Sequence, residues 1–136
     1  MEIPPSLDVL KEKFPETHAM LLVVCNDAFP SKKFFNEFPN CNTLMDMYAL
    51  GVDPRYRHQG LAQELVHRAL FIARNAGCNG AFITATNKIT GHIAEKVNMK
   101  LYNSVAWKDY KDPICGRKWF SSDLDSEYVD LYFKMF

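Results

Sequence analysis

The sequence predicts a layered α/β domain, and three observations support that class. From residue 43 onward, short apolar segments alternate with segments whose apolar residues recur every three or four positions. The resulting order is β-α-β-α-β-β, which is typical of helices packed on a mixed sheet. The length of 136 residues is close to that of one ordinary domain, so we expect a single core.

Residues 1–42 are predicted to form a mostly helical lead-in to this core. Helices are expected over 7–14, after a Pro-Pro-Ser cap signal, and over 15–26. The LLVVC portion of the second segment is also compatible with a buried strand, an alternative that the pattern leaves open. A short helical turn is expected through 34–38, closed by Pro39.

The remaining elements follow from periodicity and from turn residues. Strands are predicted at 43–52, 81–86, 101–107 and 127–133, and helices at 61–76 and 89–97. Strand 43–52 is apolar at nearly every position, which predicts burial on both faces. In the first helix, Leu61, Leu65 and Ile72 belong to the predicted apolar face. Gly77 is expected to end that helix.

Composition and charge exclude several classes of protein. Sixteen Lys and Arg balance sixteen Asp and Glu, so we expect no nucleic acid partner. The longest apolar run, 19–25, is too short to cross a bilayer, and the N-terminus has no secretory pattern. The four cysteines and four histidines lack the spacing of metal ligands, so no metal is expected. These features predict a cytoplasmic protein with no membrane partner.

The turn after strand 43–52 carries the most chemical information. The first N–H groups of a helix lack internal partners and carry partial positive charge. Gly60 has no side chain to block access to them, and Arg57 adds a full positive charge nearby. Strand, turn, Arg-x-x-Gly-x-Ala and helix in this order predict a cradle for a diphosphate. In the alternative, Arg57 is only an exposed charge and Gly60 only eases the turn.

This segment resembles the acetyl-coenzyme A signature of the GNAT superfamily of N-acetyltransferases. The signature, Arg/Gln-x-x-Gly-x-Gly/Ala, falls on Arg57, Gly60 and Ala62, and 87–90 and 95–99 resemble two further motifs. The wider sequence is most similar to the arylalkylamine N-acetyltransferase branch of insects and other invertebrates. The resemblance implies an acyl-CoA N-acyltransferase fold, shortened because the family's first three strands are missing.

The resemblance also implies a binding mode, with acetyl-CoA held between two splayed neighbouring strands and no metal. The backbone of Leu50 and Val52 would hydrogen-bond the pantetheine arm. The amides of 58–62 would take the pyrophosphate, and Asn87 would lie near the thiol. The implied cofactor-binding residues are thus Leu50, Val52, Arg57, His58, Gln59, Gly60, Leu61, Ala62 and Asn87.

The implied reaction is attack of a neutral amine on the thioester, which needs a base and an acid for the thiolate. The branch uses two serines near the thiolate, and these positions fall on Thr86 and Thr90, the implied catalytic residues. The tyrosine acid of other members falls on Ala94. The glutamate that serves as the base in the branch belongs to the missing part, so no residue of this sequence corresponds to it. Asn98, in place of a family glycine, is expected to keep a left-handed turn.

Three functions are compatible with these residues. The first is acetyl transfer from acetyl-CoA to a small primary amine such as an arylalkylamine. The second is a truncated, catalytically impaired homologue that binds coenzyme A or a protein partner without turnover, and the third is an interaction domain without a ligand. The exposed edge of strand 43–52 is expected to be covered by residues 1–40 or by a second copy in a homo-oligomer.

Overall fold

The computed structural model describes residues 29–106, 109–111, 115–116, 118 and 127–136. The helices predicted over 7–14 and 15–26 lie outside these residues. The described elements are, in chain order, α1 (Ser31–Glu37), β1 (Leu44–Asp46), α2 (Leu61–Asn75), β2 (Gly80–Ala85), α3 (Lys88–Lys96), β3 (Lys100–Ala106) and β4 (Tyr128–Met135). This order confirms the β-α-β-α-β-β prediction and the helix before Pro39.

The four strands form one mixed sheet in the order β1-β2-β4-β3. β1 and β2 are parallel, whereas β4 pairs antiparallel with both β2 and β3. A parallel pair requires a crossover connection, and α2 supplies it. None of the helices in the described part of the chain is long and apolar enough to cross a membrane.

α2 packs on the sheet through a different face from the one predicted. Its buried residues are Val66, Leu70 and Ala73, which join β2, α3 and Tyr132 in the main core cluster. Leu61, Leu65 and Ile72 instead remain 41%, 47% and 62% exposed. The helix carries two apolar stripes at helical spacing, and periodicity alone does not select between them. Packing against β2, α3 and Tyr132 selects the stripe that is buried.

The opposite face of the sheet is covered by α1 through an aromatic cluster. Phe34 is fully buried, and its ring centroid lies 4.8 Å from that of Phe38, 5.2 Å from Tyr102 and 5.4 Å from Phe133. Tilted and edge-to-face contacts of this kind are favourable for aromatic rings. α1 is therefore attached to the sheet by Phe34, while its other faces are exposed.

Left-handed residues follow both long helices, as predicted. Gly77 has φ +85° directly after the C-terminus of α2. Asn98 has φ +59° after α3, and the N–H of Met99 bonds back to the carbonyl of Ala94 at 3.0 Å. This bond satisfies a carbonyl that the end of a helix otherwise leaves free. Asn98 thus keeps the turn that glycine makes in the family motif.

Candidate functional site

β1 leaves the sheet earlier than the sequence predicted. Its ladder with β2 runs from Leu44–Gly80 to Asp46–Phe82, followed by one bond from the Met47 N–H to the Phe82 carbonyl at 3.0 Å. β2 continues to Ala85, while residues 47–53 are not in a strand. The prediction of a strand over 43–52 buried on both faces was therefore wrong. Instead, the segment that follows β1 diverges from β2 and leaves a gap beside β2.

A short 3-10 helix, Pro54–Tyr56, turns the chain from this gap toward α2. Asp53 caps it by accepting a 2.9 Å bond from the Arg55 N–H, and its carboxylate also pairs with the Arg55 guanidinium at 2.9 Å. These hydrogen bonds lower the pKa of Asp53. Arg57 is held differently, because its Nε donates to the Val52 carbonyl at 3.1 Å. Among the described residues Arg57 has no carboxylate partner, so its charge is available to a ligand.

The backbone before α2 has the conformation of an anion-binding nest. His58 and Gly60 have φ +62° and +77°, and such turns direct successive N–H groups toward one point. No side chain caps the helix at Gly60, and the first bond inside it is that from Glu64 N–H to the Gly60 carbonyl. A Cβ added at Gly60 would meet no atom within 4 Å. The free amides therefore face open space.

The N-terminus of α3 forms the facing wall. Asn87 caps this helix, because its Oδ1 accepts a 2.9 Å bond from the Thr90 N–H. This bond leaves the amide nitrogen of Asn87 free to donate, and it orients the first turn, where Thr90 is half-buried. Thr86 is also half-buried and follows β2 directly.

A cleft of about 670 Å³ joins these parts, within the usual range for small-molecule sites. Of the residues singled out from the sequence, those that line it are Leu50, Val52, Arg57, His58, Gly60, Leu61, Ala62, Asn87 and Thr90. Gln59 and Thr86 are not among its lining residues. The individual roles of these residues are predictions from the resemblance.

Other lining residues were missed in the sequence. They are Gly51, Tyr56, Gln63, Lys88, Ile89, His92, Ile93 and Lys96. Lys88, His92 and Lys96 are spaced four apart, which places them on one face of a helix, and this spacing was the signal available in the sequence. No group of residues suited to a metal ion occurs in the described ranges.

Asp46 is the last residue of β1, at the point where the backbone diverges from β2. Its neighbours Met45 and Met47 both pack on the core cluster, so strand alternation directs Asp46 to the other face of the sheet. The residue is exposed, yet partial burial of its carboxyl raises the pKa above the ordinary value. The folded protein therefore holds this proton more tightly than the unfolded chain does.

The variant Asp46→Asn should be more stable than the wild type at pH 7. A raised pKa stabilises the fold below the ordinary carboxyl pKa of about 4, and that stability is lost as the pH rises through the raised value. The gain in melting temperature should therefore vanish in acid, where both side chains are neutral. An equal gain at every pH would contradict this explanation.

Taken together, a mixed sheet with two diverging parallel strands and an uncapped helix beside the gap defines an acyl-CoA N-acyltransferase fold. A profile of the Acetyltransferase (GNAT) family matches residues 14–98, more than half of the chain, and the chain belongs to that family. No curated protein matches it.

Solved structures agree with this assignment. A mosquito arylalkylamine N-acetyltransferase like 5b is 26% identical with a TM-score of 0.62, covering 67% of this chain and 42% of that one. Arylalkylamine N-acetyltransferase 2 from Aedes aegypti is 19% identical with a TM-score of 0.77, and the match covers 99% of this chain and 63% of that one. A Drosophila melanogaster polyamine N-acetyltransferase is 16% identical with a TM-score of 0.76, and the match covers 95% of this chain and 61% of that one. The last two likenesses concern the fold alone, and the chain spans less than two thirds of each structure.

Proposed function

We propose that this protein binds acetyl-CoA and transfers its acetyl group to a small primary amine. The observation that carries the proposal is the uncapped N-terminus of α2, which opens beside the gap between β1 and β2 into the cleft. Membership of the acetyltransferase family supports acetyl-CoA as the acetyl donor. The similar structures, described as arylalkylamine and polyamine N-acetyltransferases, support an amine as acceptor.

The donor would lie along the backbone from the gap to α2. Leu50 and Val52 lie outside the sheet, so the backbone of Leu50 and the N–H of Val52 can pair with the amides of a pantetheine arm, while the Val52 carbonyl accepts from Arg57. The free amides near Gly60 and the charge of Arg57 would then hold the pyrophosphate, because both favour an anion. Glu64, the acidic residue in the first turn of α2, is paired with Arg68 at 2.8 Å, which reduces its repulsion of that anion.

The chemical step needs two proton transfers. The amine lone pair attacks the thioester carbonyl, the carbon–sulfur bond breaks, and the thiolate takes a proton while the nitrogen loses one. Thr90, in the wall of the cleft, is the candidate donor to the thiolate. Thr86 follows β2 directly and does not line the cleft, so its assisting role is supported by the resemblance alone. Asp46, the last residue of β1 before the gap, is our candidate for the base, a role that the sequence left unassigned.

An acetyl-transfer assay tests the proposal. The protein is incubated with acetyl-CoA and with tryptamine, tyramine, dopamine or agmatine, and both free thiol and N-acetyl product are measured. Equal amounts of the two products, dependent on the amine, are the expected result. Binding of acetyl-CoA without any product would instead favour the catalytically impaired homologue, and absence of binding would overturn the proposal.

The variant Thr90→Val should lower kcat about tenfold or more, because positioned proton donors contribute at least that much. Valine keeps the shape of the side chain, and the backbone N–H that bonds Asn87 is retained. The affinity for acetyl-CoA should therefore stay within about twofold of the wild type. Thr43→Val, at an exposed position outside the cleft, is the matched control and should leave kcat unchanged. An unchanged kcat in Thr90→Val would remove Thr90 from the mechanism.

A further inference from the structure

β1 has the sequence of an inner strand but the place of an edge strand. Among the described residues it pairs with β2 alone, and the segment 44–50 contains a single charged residue, Asp46, and no proline. Edge strands of natural proteins are usually protected by charges, by proline or by a covering element. The side chains of Tyr48 and Ala49 are nevertheless exposed. Within the described part of the chain, this edge therefore lacks the usual protection.

The backbone of β1 carries hydrogen-bonding groups that β2 does not use. The Thr43 carbonyl and the Met47 N–H bond to the β2 side of the chain at 2.8 and 3.0 Å. In a parallel pair, alternate residues of a strand bond to the same neighbour, so the N–H and carbonyl groups of Leu44 and Asp46 point to the free edge. No backbone bond from another described segment reaches them. They can therefore pair with a further strand.

An apolar stripe of α2 lies above this edge. We use the name α2 stripe for Leu65, Ala69 and Ile72, each of which directly precedes a buried residue of the helix. The stripe therefore lies about 100° around the helix axis from the buried face. Connections such as β1–α2–β2 are right-handed, and in that hand the residues that precede the buried ones point toward β1 and away from α3. Leu65 and Ile72 thus expose apolar surface beside the unpaired strand.

The charges beside the α2 stripe are already neutralised. Glu64 and Arg68 lie next to it on the solvent side of the helix and pair with each other at 2.8 Å. Burial of an unpaired charge is costly, and a contact made through the stripe would leave neither residue unpaired. The surface therefore has an apolar centre with a polar rim, which is the usual arrangement of an interface between proteins.

The spacing of strands and helices selects a second copy of this chain as the occupant. α2 connects β1 to β2 and lies above this pair, because its buried residues and Met45 pack in the same cluster. If the β1 edges of two copies paired about a twofold axis, the two α2 helices would be two strand spacings apart, about 9.6 Å. Packed helices lie about 8–10 Å apart. One symmetry operation would thus pair both edges and bury both stripes, as an isologous interface requires.

We propose that β1 and the α2 stripe form the interface of a symmetric dimer of this protein. The β1 edges of the two copies pair antiparallel and join the two sheets into one, and the α2 helices pack against each other on one face of it. The inference goes beyond the proposed function, because it involves neither a ligand nor the transfer reaction.

Sedimentation velocity over a range of protein concentrations tests the dimer. The wild type should sediment as a dimer at micromolar concentrations. Ile72→Glu, and separately Leu65→Glu, should raise the dissociation constant at least about 100-fold, because each dimer would bury two carboxylates. Both positions are exposed, so circular dichroism should show that the variants stay folded. Phe71→Glu is the matched control, since Phe71 is 67% exposed on another side of the same helix, and should dimerise like the wild type.

Amide hydrogen exchange, followed by NMR, tests the pairing of the edges. The N–H groups of Leu44 and Asp46 should be protected in the wild-type dimer and should exchange rapidly in monomeric Ile72→Glu. A wild type that is monomeric at every concentration would overturn the proposal, and protection of these amides in that monomer would show that another segment of the same chain covers the edge. A dimer that persists unchanged in both glutamate variants would place the interface elsewhere and would also overturn it.

Discussion

Gly60→Glu should weaken the binding of acetyl-CoA by more than about 100-fold, equivalent to about 2.7 kcal/mol. The new side chain would place bulk and a negative charge in the open space before α2, where the free amides and Arg57 otherwise favour an anion. The left-handed conformation at this position also strains any side chain, by about 1–2 kcal/mol. Calorimetric titration measures the affinity, and thermal unfolding measures the strain.

Gly77→Glu is the matched control for this substitution. Gly77 has φ +85°, close to the +77° of Gly60, and an added Cβ meets no atom within 4 Å at either position. The two variants should therefore lose similar stability, but Gly77 follows the other end of α2, so its variant should bind acetyl-CoA like the wild type. Equal affinities of the two variants would place the ligand elsewhere and would reject the proposed site.

Phe34→Ala should lower the free energy of unfolding by about 3–5 kcal/mol, the usual cost of truncating a buried phenylalanine. Phe34 is fully buried and contacts Tyr102 and Phe133 across the sheet, so its loss leaves a cavity between α1 and the strands. Urea denaturation of the variant and of the wild type measures the difference.

Phe35→Ala, on the same short helix, serves as the comparison. Phe35 is 38% exposed, so its truncation removes less buried surface and should cost less than half as much. Phe34→Leu provides a milder test in case the alanine variant does not fold, with an expected loss between the two. If the Phe34 and Phe35 alanine variants were equally stable, α1 would not be attached through Phe34.

Local chemistry explains why parts of the site were accessible from the sequence. Gly60 before a helix and Asn98 as a left-handed turn each act within a few residues of the chain. Their consequences depend on backbone conformation and on the nearest N–H groups. Backbone chemistry of this kind predicted the order of the elements and the turn at 57–62, whereas Leu50, Val52, Asn87 and Thr90 were implied by the resemblance to the family.

Contacts between distant parts of the chain decided the length of β1 and which of the predicted residues line the cleft. The length of β1 depends on where its hydrogen bonds with β2 end, at Phe82, and nothing near Asp46 encodes that register. Gln59 belongs to the predicted loop, but the direction of that turn leaves it outside the lining of the cleft. Thr86, which follows β2, is likewise outside the lining, whereas Thr90 in the first turn of α3 belongs to it.

What the sequence by itself determined is the set of secondary structures, the α/β class and the anion-binding turn, since each arises from short-range backbone physics. Only the tertiary structure decided which of two apolar stripes of α2 is buried, because that choice depends on the fit of Val66 and Ala73 against the sheet. It also brought α3 to face the loop at Arg57. These two segments are far apart in the sequence, so the cleft between them exists only once the chain is folded.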